Sequence, residues 1–204
     1  MIAIIDYNAG NTCSVINALE RLGIAYELTA DHDKIRASDK IILPGVGHAK
    51  AAMDNLESRG LVPVLRRATQ PFLGICVGMQ LMAKLSTEGP TDALDIVDAT
   101  VQRFDFQDNT IKVPHMGWNK ISVIKDHYLF EGIADQSYAY FVHSYYMPMH
   151  SSTISSTQYG IEYSAAIQKN NFVGVQFHPE KSGTVGGKIL KNFVNENYSS
   201  HRHN

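Results

Sequence analysis

Short, almost wholly apolar runs alternate with amphipathic stretches as far as Leu85. The runs have the length of buried strands, and the stretches between them have the three- to four-residue spacing of helices. Strands are predicted at Ile2 to Asp6, Ala25 to Thr29 and Lys40 to Leu43, and helices at about Ser14 to Leu22, His48 to Leu56 and Leu61 to Ala68. Because apolar strands that alternate with helices form parallel sheets covered on both faces, this half predicts an α/β fold.

The pattern changes after Ser86, where turn residues precede short segments of alternating polarity. Such segments are typical of antiparallel strands. They predict strands at Thr100 to Phe104, Ile111 to Val113, Tyr138 to Tyr146, Glu162 to Gln168 and Asn171 to Phe177, and a closing helix from about Thr184 to Asn197. We therefore expect one domain over residues 1–204, with a mainly parallel central sheet, flanking helices and added antiparallel strands.

One apolar run leads into a cysteine between two glycines. The run begins at Phe72, passes through Gly74-Ile75-Cys76-Val77-Gly78 and continues at helical spacing. This is the form of a nucleophile elbow, a tight strand-to-helix turn that exposes one side chain above a sheet. A thiol there lies at a helix N-terminus, which favours the thiolate, so Cys76 is a candidate nucleophile. The alternative is a buried cysteine that packs as a small hydrophobe, and this stretch alone does not distinguish the two.

A candidate base lies near the end of the chain, in His178-Pro179-Glu180. A cysteine nucleophile needs a base, and the base needs an acceptor that fixes its tautomer. Residues two apart in an extended chain point to the same side, and the proline keeps His178 extended. His178 and Glu180 therefore suit a base and its orienting carboxylate, although surface loops also contain many such pairs.

Backbone groups for catalysis are predicted at Pro44-Gly45-Val46-Gly47, which ends the third strand. Ligands of open α/β sheets bind at the carboxyl ends of the strands, where backbone N–H groups form oxyanion holes. Glycines let such a backbone change its orientation. An ordinary strand-ending turn is the alternative interpretation.

Composition and charge exclude several classes of protein. The 204 residues carry a formal net charge of −2, so there is no basic field for nucleic acid. No apolar stretch approaches the roughly 20 residues that span a bilayer, and no signal segment is evident, so we expect a cytoplasmic protein. Cys13 and Cys76 do not suggest a disulfide framework, and the scattered histidines lack metal-site spacing. We expect neither a metal nor a cofactor.

Three motifs together resemble the class I (triad) glutamine amidotransferases: the PGVG turn, the elbow around Cys76 and the terminal segment Gln176 to Glu180. Within that class the sequence is similar to the glutaminase subunits of imidazole glycerol phosphate synthase, in histidine biosynthesis. Further marks of this similarity are Val113 to Asn119 and Tyr140 to Tyr145, and it extends from Asp6 to the closing helix. The resemblance implies a flavodoxin-like fold and a glutaminase activity.

The resemblance implies a mechanism in which the Cys76 thiolate attacks the side-chain amide of glutamine. His178 protonates the departing ammonia, and a glutamyl thioester remains. His178 then activates the water that hydrolyses the thioester, while Glu180 orients the imidazole throughout.

The resemblance also assigns backbone and pocket positions around these three residues. The oxyanion hole would consist of the N–H of Val77 and one N–H from Val46 or Gly47. Substrate-pocket positions are Gln80, Ser144 and Tyr145, the last two through backbone groups.

Ammonia released into neutral water becomes unreactive ammonium, so a glutaminase that serves a synthesis must pass it on directly. The implied receiver is a (β/α)₈-barrel cyclase, which must be a separate chain because 204 residues cannot contain both domains. The expected heterodimer interface or gate includes Asn11, His115, Met116, Trp118, Tyr140 and Lys181, with positions 115, 116 and 118 in a loop-like segment.

Other functions stay open at this point. The chain could be the glutaminase subunit of another amidotransferase, such as anthranilate synthase, or a stand-alone γ-glutamyl hydrolase. It could also be a catalytically silent regulatory module on the same fold. The PGVG and Val113 to Asn119 segments argue against the first two, and the complete set of Cys76, His178 and Glu180 argues against the third.

Overall fold

The computed structural model describes residues 1–8, 12–107 and 110–196. Its helices are α1 (Thr12–Arg21), α2 (His32–Ala37), α3 (Ala49–Ser58), α4 (Leu61–Arg66), α5 (Val77–Gln80) and α6 (Gly183–Asn195). Single 3₁₀ turns lie at Tyr128–Phe130 and Pro179–Lys181. No helix in the described ranges combines the length and apolar content that crossing a bilayer requires.

The strands of the first half are short. They are β1 (Ile2–Ile5), β2 (Tyr26–Thr29), β3 (Lys40–Leu43), β4 (Phe72–Ile75), β5 (Ala83–Ser86) and β6 (Thr91–Asp92). Those of the second half are β7 (Val97–Arg103), β8 (His115–Val123), β9 (Ser137–His143), β10 (Tyr145–Tyr146), β11 (Thr153–Tyr159), β12 (Ile161–Lys169) and β13 (Phe172–Val175).

Within the described ranges, nine strands form one sheet in the order β2-β1-β3-β4-β13-β12-β11-β8-β9. The pairs from β2 to β13 are parallel, and those from β13 to β9 are antiparallel. A second sheet has the order β10-β7-β5-β6. The expected parallel core with added antiparallel strands is confirmed, while the second sheet was not predicted.

Burial explains why the parallel strands could be predicted from the sequence. Every residue of β1, β3, β4 and β13 is buried. A strand covered on both faces needs apolar side chains at successive positions, and this gives the continuous apolar runs. The buried residues of α1, namely Val15, Ala18 and Leu19, have the spacing of a single helix face.

The prediction was wrong around residue 111. The range 111–113 is not a strand, and the strand begins instead at His115 and runs to Val123. Solvent-facing and buried positions alternate along it, but its buried face carries polar His115 and its exposed face carries Met116 and Trp118. The hydrophobic alternation is therefore inverted at this end of the strand, which is why the sequence looked like a loop.

Two other differences concern boundaries and missed elements. The predicted strand over residues 138–146 is two strands, β9 and β10, that Ser144 separates. The helix α2 and the strands β5, β6 and β11 were not predicted. Strand β11 carries serines and threonines at buried positions, so its sequence does not show the apolar pattern of a core strand.

The elbow packs against the end of β3 with no space for a side chain. A Cβ built on Gly78 would lie 1.9 Å from the Leu43 carbonyl oxygen, and one on Gly74 would lie 2.5 Å from the Gly78 carbonyl oxygen. Both neighbours are backbone atoms, so neither can move aside cheaply. The two glycines therefore fix how closely α5 approaches the sheet.

This packing predicts that Gly78→Ala destabilises the protein by about 1–3 kcal/mol, because overpacking forces β3 and α5 apart. Gly187→Ala, within α6, is the matched control. The nearest atom to its new Cβ outside the helix backbone is in the Leu22 side chain, at 3.9 Å. That variant should gain about 0.5–1 kcal/mol from helix propensity. Urea unfolding measures both free energies, and a Gly78→Ala protein as stable as the parent would contradict the packing argument.

Candidate active site

Cys76 occupies a strained turn between β4 and α5. Its backbone has φ 53° and ψ −108°, which a residue with a side chain adopts only where the surroundings enforce it. The enforcing bonds are from its N–H to the Val175 carbonyl (2.8 Å) and from the N–H of Met79 and Gln80 to its own carbonyl (3.0 and 3.1 Å). The predicted elbow is therefore confirmed as a backbone structure.

His178 reaches the same edge of the sheet from the neighbouring strand. Strand β13 runs parallel to β4 with Val175 beside Ile75, so the residues after each strand emerge together. The His178 N–H donates to the Tyr140 carbonyl (2.8 Å), and its backbone is extended at φ −100° and ψ 96°. Topology thus brings the candidate base to the candidate nucleophile.

Glu180 contacts the His178 ring, although not through the extended chain that the sequence predicted: the backbone is extended at His178 and then forms a 3₁₀ turn over Pro179–Lys181. The Glu180 Oε1 lies 2.7 Å from His178 Nδ1, and both side chains are almost fully buried. The other ring nitrogen, Nε2, is buried and has no hydrogen-bond partner among the described residues, and Cys76 acts on the ring electrostatically. The order in which the three side chains lie suits the predicted roles of nucleophile, base and orienter.

The electrostatics of the three residues favour a charged imidazole. Burial lowers the pKa of His178, but the interactions of the ring with Cys76 and Glu180 and the negative charges of both outweigh it and raise the pKa to about 10. An imidazolium beside the cysteine stabilises the thiolate. These electrostatics therefore suit the predicted role of Cys76 as a nucleophile.

A cavity of about 270 Å³ opens in front of Cys76. It brings together the nucleophile and the predicted pocket and oxyanion positions: Val46, Gly47, Cys76, Val77, Gln80, Ser144 and Tyr145. Four lining residues were not predicted as pocket residues: Glu88, Pro114, Val142 and His143. Glu88 was missed because its neighbours in sequence carry no motif for a ligand, whereas His143 was passed over although it directly precedes the predicted pocket residues Ser144 and Tyr145.

The backbone expected to form the oxyanion hole is in place, but one donor is engaged. The Val77 N–H donates to the Gly45 carbonyl over 3.3 Å. Gly45 packs so closely on the elbow that a Cβ there would lie 2.8 Å from the Gly78 nitrogen. Gly47 has φ 92°, a conformation that favours glycine. The turn is thus in contact with the elbow. The Val77 N–H is bonded to the Gly45 carbonyl and does not point into the cavity as a free donor.

Gln80 lines the cavity and also supports its wall. Its Nε2 donates to the Tyr145 carbonyl (2.8 Å) and to Gln176 Oε1 (3.1 Å). The amide nitrogen of Gln80 is therefore occupied within the protein. Gln176, which precedes the predicted base by two residues, was not singled out from the sequence.

His115 was predicted at a partner interface, and this is wrong: its side chain is 3% exposed. Its Nδ1 lies 2.8 Å from the Tyr163 hydroxyl, which lies 2.9 Å from His143 Nε2. His143 Nδ1 in turn lies 2.7 Å from the Tyr145 carbonyl. A buried polar chain therefore joins β8 to the cavity wall.

The direction of this chain follows from its last acceptor. A carbonyl only accepts, so His143 Nδ1 donates to it, and the neutral ring then accepts the Tyr163 proton at Nε2. Tyr163 accordingly accepts from His115 Nδ1. Burial lowers the pKa of His143 to about 3, aided by the charge of His115, and lowers that of His115 to about 4, so both rings are neutral.

Of the remaining predicted interface residues, Met116, Trp118 and Tyr140 lie on one face of the β8–β9 pair. Met116 is 63% exposed and Trp118 55% exposed. The Trp118 and Tyr140 rings meet edge to face with centroids 6.0 Å apart. Lys181 is exposed in the turn that carries Glu180. Asn11 lies outside the described residues.

Fold and site together define a class I glutamine amidotransferase. The model of that family, glutamine amidotransferase class-I, matches residues 3–197 of the chain. Two solved structures share the fold at low sequence identity. A glutamine amidotransferase of Thermotoga maritima has a TM-score of 0.62 and 17% identity, covering 95% of this chain and 80% of that one. The glutaminase domain of Trypanosoma brucei CTPS, with bound acivicin, has a TM-score of 0.67 and 19% identity, covering 97% and 94%.

Curated relatives are much more similar. Imidazole glycerol phosphate synthase subunit HisH of Bacteroides fragilis is 48% identical over 193 residues, covering 95% of this chain and 98% of that one. The same subunit of Pasteurella multocida is 49% identical over 193 residues, with 95% and 96% covered. The chain belongs to the HisH family of class I glutamine amidotransferases.

The two neutral histidines predict how stability depends on pH. Their pKa values fall below the ordinary 6.5, so below that pH the unfolded chain binds protons that the folded chain excludes. Above about pH 6.5 neither histidine lowers the free energy of unfolding. As the pH falls from there toward the folded pKa, each should lower the free energy of unfolding by up to about 1.4 kcal/mol per pH unit.

Urea unfolding between about pH 7 and pH 5 measures this slope. His143→Gln should reduce it by the share of one histidine, because that ring is then absent from both the folded and the unfolded chain. Equal slopes for His143→Gln and the parent would contradict a neutral His143.

Proposed function

We propose that the chain hydrolyses the side-chain amide of glutamine through a thioester on Cys76 and delivers the ammonia to a cyclase subunit. The glutaminase activity, within imidazole glycerol phosphate synthase and histidine biosynthesis, follows from membership of the family. The residue assignments rest on one observation: Cys76, His178 and Glu180 meet at the carboxyl ends of β4 and β13, with Cys76 facing a cavity.

The first half of the reaction forms the thioester. The Cys76 thiolate attacks the amide carbon, and the carbonyl oxygen becomes an oxyanion. His178, charged at neutral pH, then donates its proton to the departing nitrogen, and ammonia leaves. Glu180 keeps Nδ1 protonated throughout, so the proton that moves is the one on Nε2.

The second half releases glutamate. His178 Nε2, now unprotonated, removes a proton from a water molecule that attacks the thioester carbon. When the tetrahedral intermediate collapses, the carbon–sulfur bond breaks and its electron pair returns to Sγ. The imidazolium and thiolate are thereby restored for the next turnover.

Glu88 supplies the charge that an amino-acid substrate requires. Among the described residues that line the cavity, Glu88 is the one with a carboxylate side chain. Its Oε2 accepts the Ala49 N–H at 2.7 Å. That bond holds the side chain at the wall. A carboxylate so placed suits the α-ammonium group of glutamine, while Gln80, Ser144 and Tyr145 form the neighbouring surface.

Completion of the oxyanion hole requires a local rearrangement of Pro44 to Gly47. The bond from the Val77 N–H to the Gly45 carbonyl is long, so releasing it is cheap. The Val77 N–H and one from Val46 or Gly47 could then serve the oxyanion, each worth about 2.7–4 kcal/mol of transition-state stabilisation. We propose that the partner and its ligand favour this rearrangement, which prevents wasteful hydrolysis.

The partner in this proposal is a (β/α)₈-barrel cyclase that forms a heterodimer with the chain. Met116 and Trp118 give the β8–β9 surface an exposed aromatic and apolar character, and Tyr140 connects it to the site through the bond from His178 N–H. Aromatic and methionine side chains are enriched at protein interfaces. We place the docking surface here, with Lys181 at its margin.

Loss of the nucleophile is the direct test. Cys76→Ala should abolish product formation from glutamine by the complex and leave synthesis from added ammonium salt intact, because the cyclase still receives its nucleophile from solution. Cys13→Ala is the matched control, since that cysteine is exposed on α1, and it should keep both activities. Product formation from glutamine at the parent rate by Cys76→Ala would exclude Cys76.

Base and orienter are separated by a second pair of variants. His178→Ala removes the group that transfers protons, whereas Glu180→Gln only misplaces it. We expect Glu180→Gln to lose about 10- to 100-fold less glutaminase kcat than His178→Ala. Steady-state glutaminase assays of both complexes measure the difference. Near-parent activity in both would remove the two residues from the mechanism.

A further inference from the structure

Gln176 places a buried amide against the nucleophile. It follows β13 directly, two residues before His178, and its side chain is fully buried. Its Nε2 lies 3.7 Å from Cys76 Sγ, within the range of a hydrogen bond to sulfur. None of the three triad roles uses this contact.

The orientation of the amide is fixed by its neighbours. The Tyr145 carbonyl only accepts, so the Gln80 group 2.8 Å from it must be the donating Nε2. That same Nε2 lies 3.1 Å from Gln176, so the Gln176 atom facing it must be the acceptor Oε1. The NH₂ group of Gln176 is therefore the part that faces Sγ.

Three further polar groups do not donate to Sγ: the Val142 carbonyl is an acceptor, and the Tyr7 and Tyr163 hydroxyls are already engaged. The Val142 carbonyl, 3.9 Å away, accepts from the thiol and offers nothing to a thiolate. The Tyr7 hydroxyl donates to the Pro44 carbonyl at 2.7 Å, and the Tyr163 hydroxyl donates to His143. Burial and the Cys76 charge raise the pKa of both phenols, so both stay protonated and occupied.

We propose that Gln176 is a further catalytic residue, whose side-chain N–H stabilises the Cys76 thiolate together with His178. The assignment rests on the proposed role of Cys76 as nucleophile. The contact stabilises the negative charge on Sγ at two points of the reaction. The first is before the thiolate attacks, and the second is when the carbon–sulfur bond of the thioester breaks and the charge returns to Sγ. An amide keeps its donor at every pH, whereas His178 loses its Nε2 proton during the reaction.

The test uses Gln176→Met, which keeps the length of the side chain and removes the donor, and Gln176→Asn, which keeps an amide but withdraws it by one methylene. Both are made with Cys13→Ser, so that Cys76 is the remaining thiol. Thiolate formation is followed by the ¹³Cβ resonance of Cys76 against pH, and glutaminase kcat is measured for the complex with the partner subunit. Gln168→Met is the control, because that amide bonds the Asn170 carbonyl away from the site.

In both Gln176 variants the midpoint of thiolate formation should move up by about one pH unit and kcat should fall about tenfold, with KM for glutamine little changed. A residue that only packs would leave the titration unmoved in Gln176→Met, which fills the same volume, and that result would overturn the proposal. If the parent complex hydrolyses no glutamine, the proposed function fails, and the thiol titration still decides whether Gln176 stabilises the thiolate.

Discussion

The parallel pairing of β4 with β13 is the constraint on which the site depends. Its register places Val175 beside Ile75, so the residues that follow each strand emerge at the same edge. The Cys76 N–H continues this pairing with a 2.8 Å bond to the Val175 carbonyl. The candidate nucleophile Cys76 and the candidate base His178 are about half the chain apart in sequence, and this strand pair brings them to the same edge of the sheet. A shift of one residue would turn His178 to the other face of the sheet.

Burial strengthens the electrostatic interactions of this arrangement, and it also requires that each buried polar group has a hydrogen-bond partner. Because both side chains are almost fully buried, His178 and Glu180 interact strongly, and any polar group left without a partner there is destabilising. Two chains of hydrogen bonds supply such partners around the cavity. One contains Gln80 and Gln176, and the other contains His115, Tyr163 and His143. Both chains meet at the Tyr145 carbonyl, so the cavity wall is held from two directions.

The sequence predicted those parts of the fold and site that depend on local rules. The apolar runs of the parallel strands, the glycines of the elbow and the proline that keeps His178 extended each indicate their own local conformation. What failed were features set by distant partners. His115 was placed at the surface because a histidine beside methionine and tryptophan resembles an interface, whereas its partner Tyr163 lies 48 residues away. Glu88 and Gln176 likewise gain their roles only from the fold.

The thioester on Cys76 is central to the proposed function, and trapping it is the most direct measurement. The complex would be mixed with ¹³C-labelled glutamine, quenched in acid during turnover, digested and analysed by mass spectrometry. We expect one glutamyl adduct, carrying the label, on the peptide that contains Cys76, with Cys13 unmodified. Steady production of labelled glutamate without any adduct on Cys76, or with the adduct on another residue, would contradict the proposed chemistry.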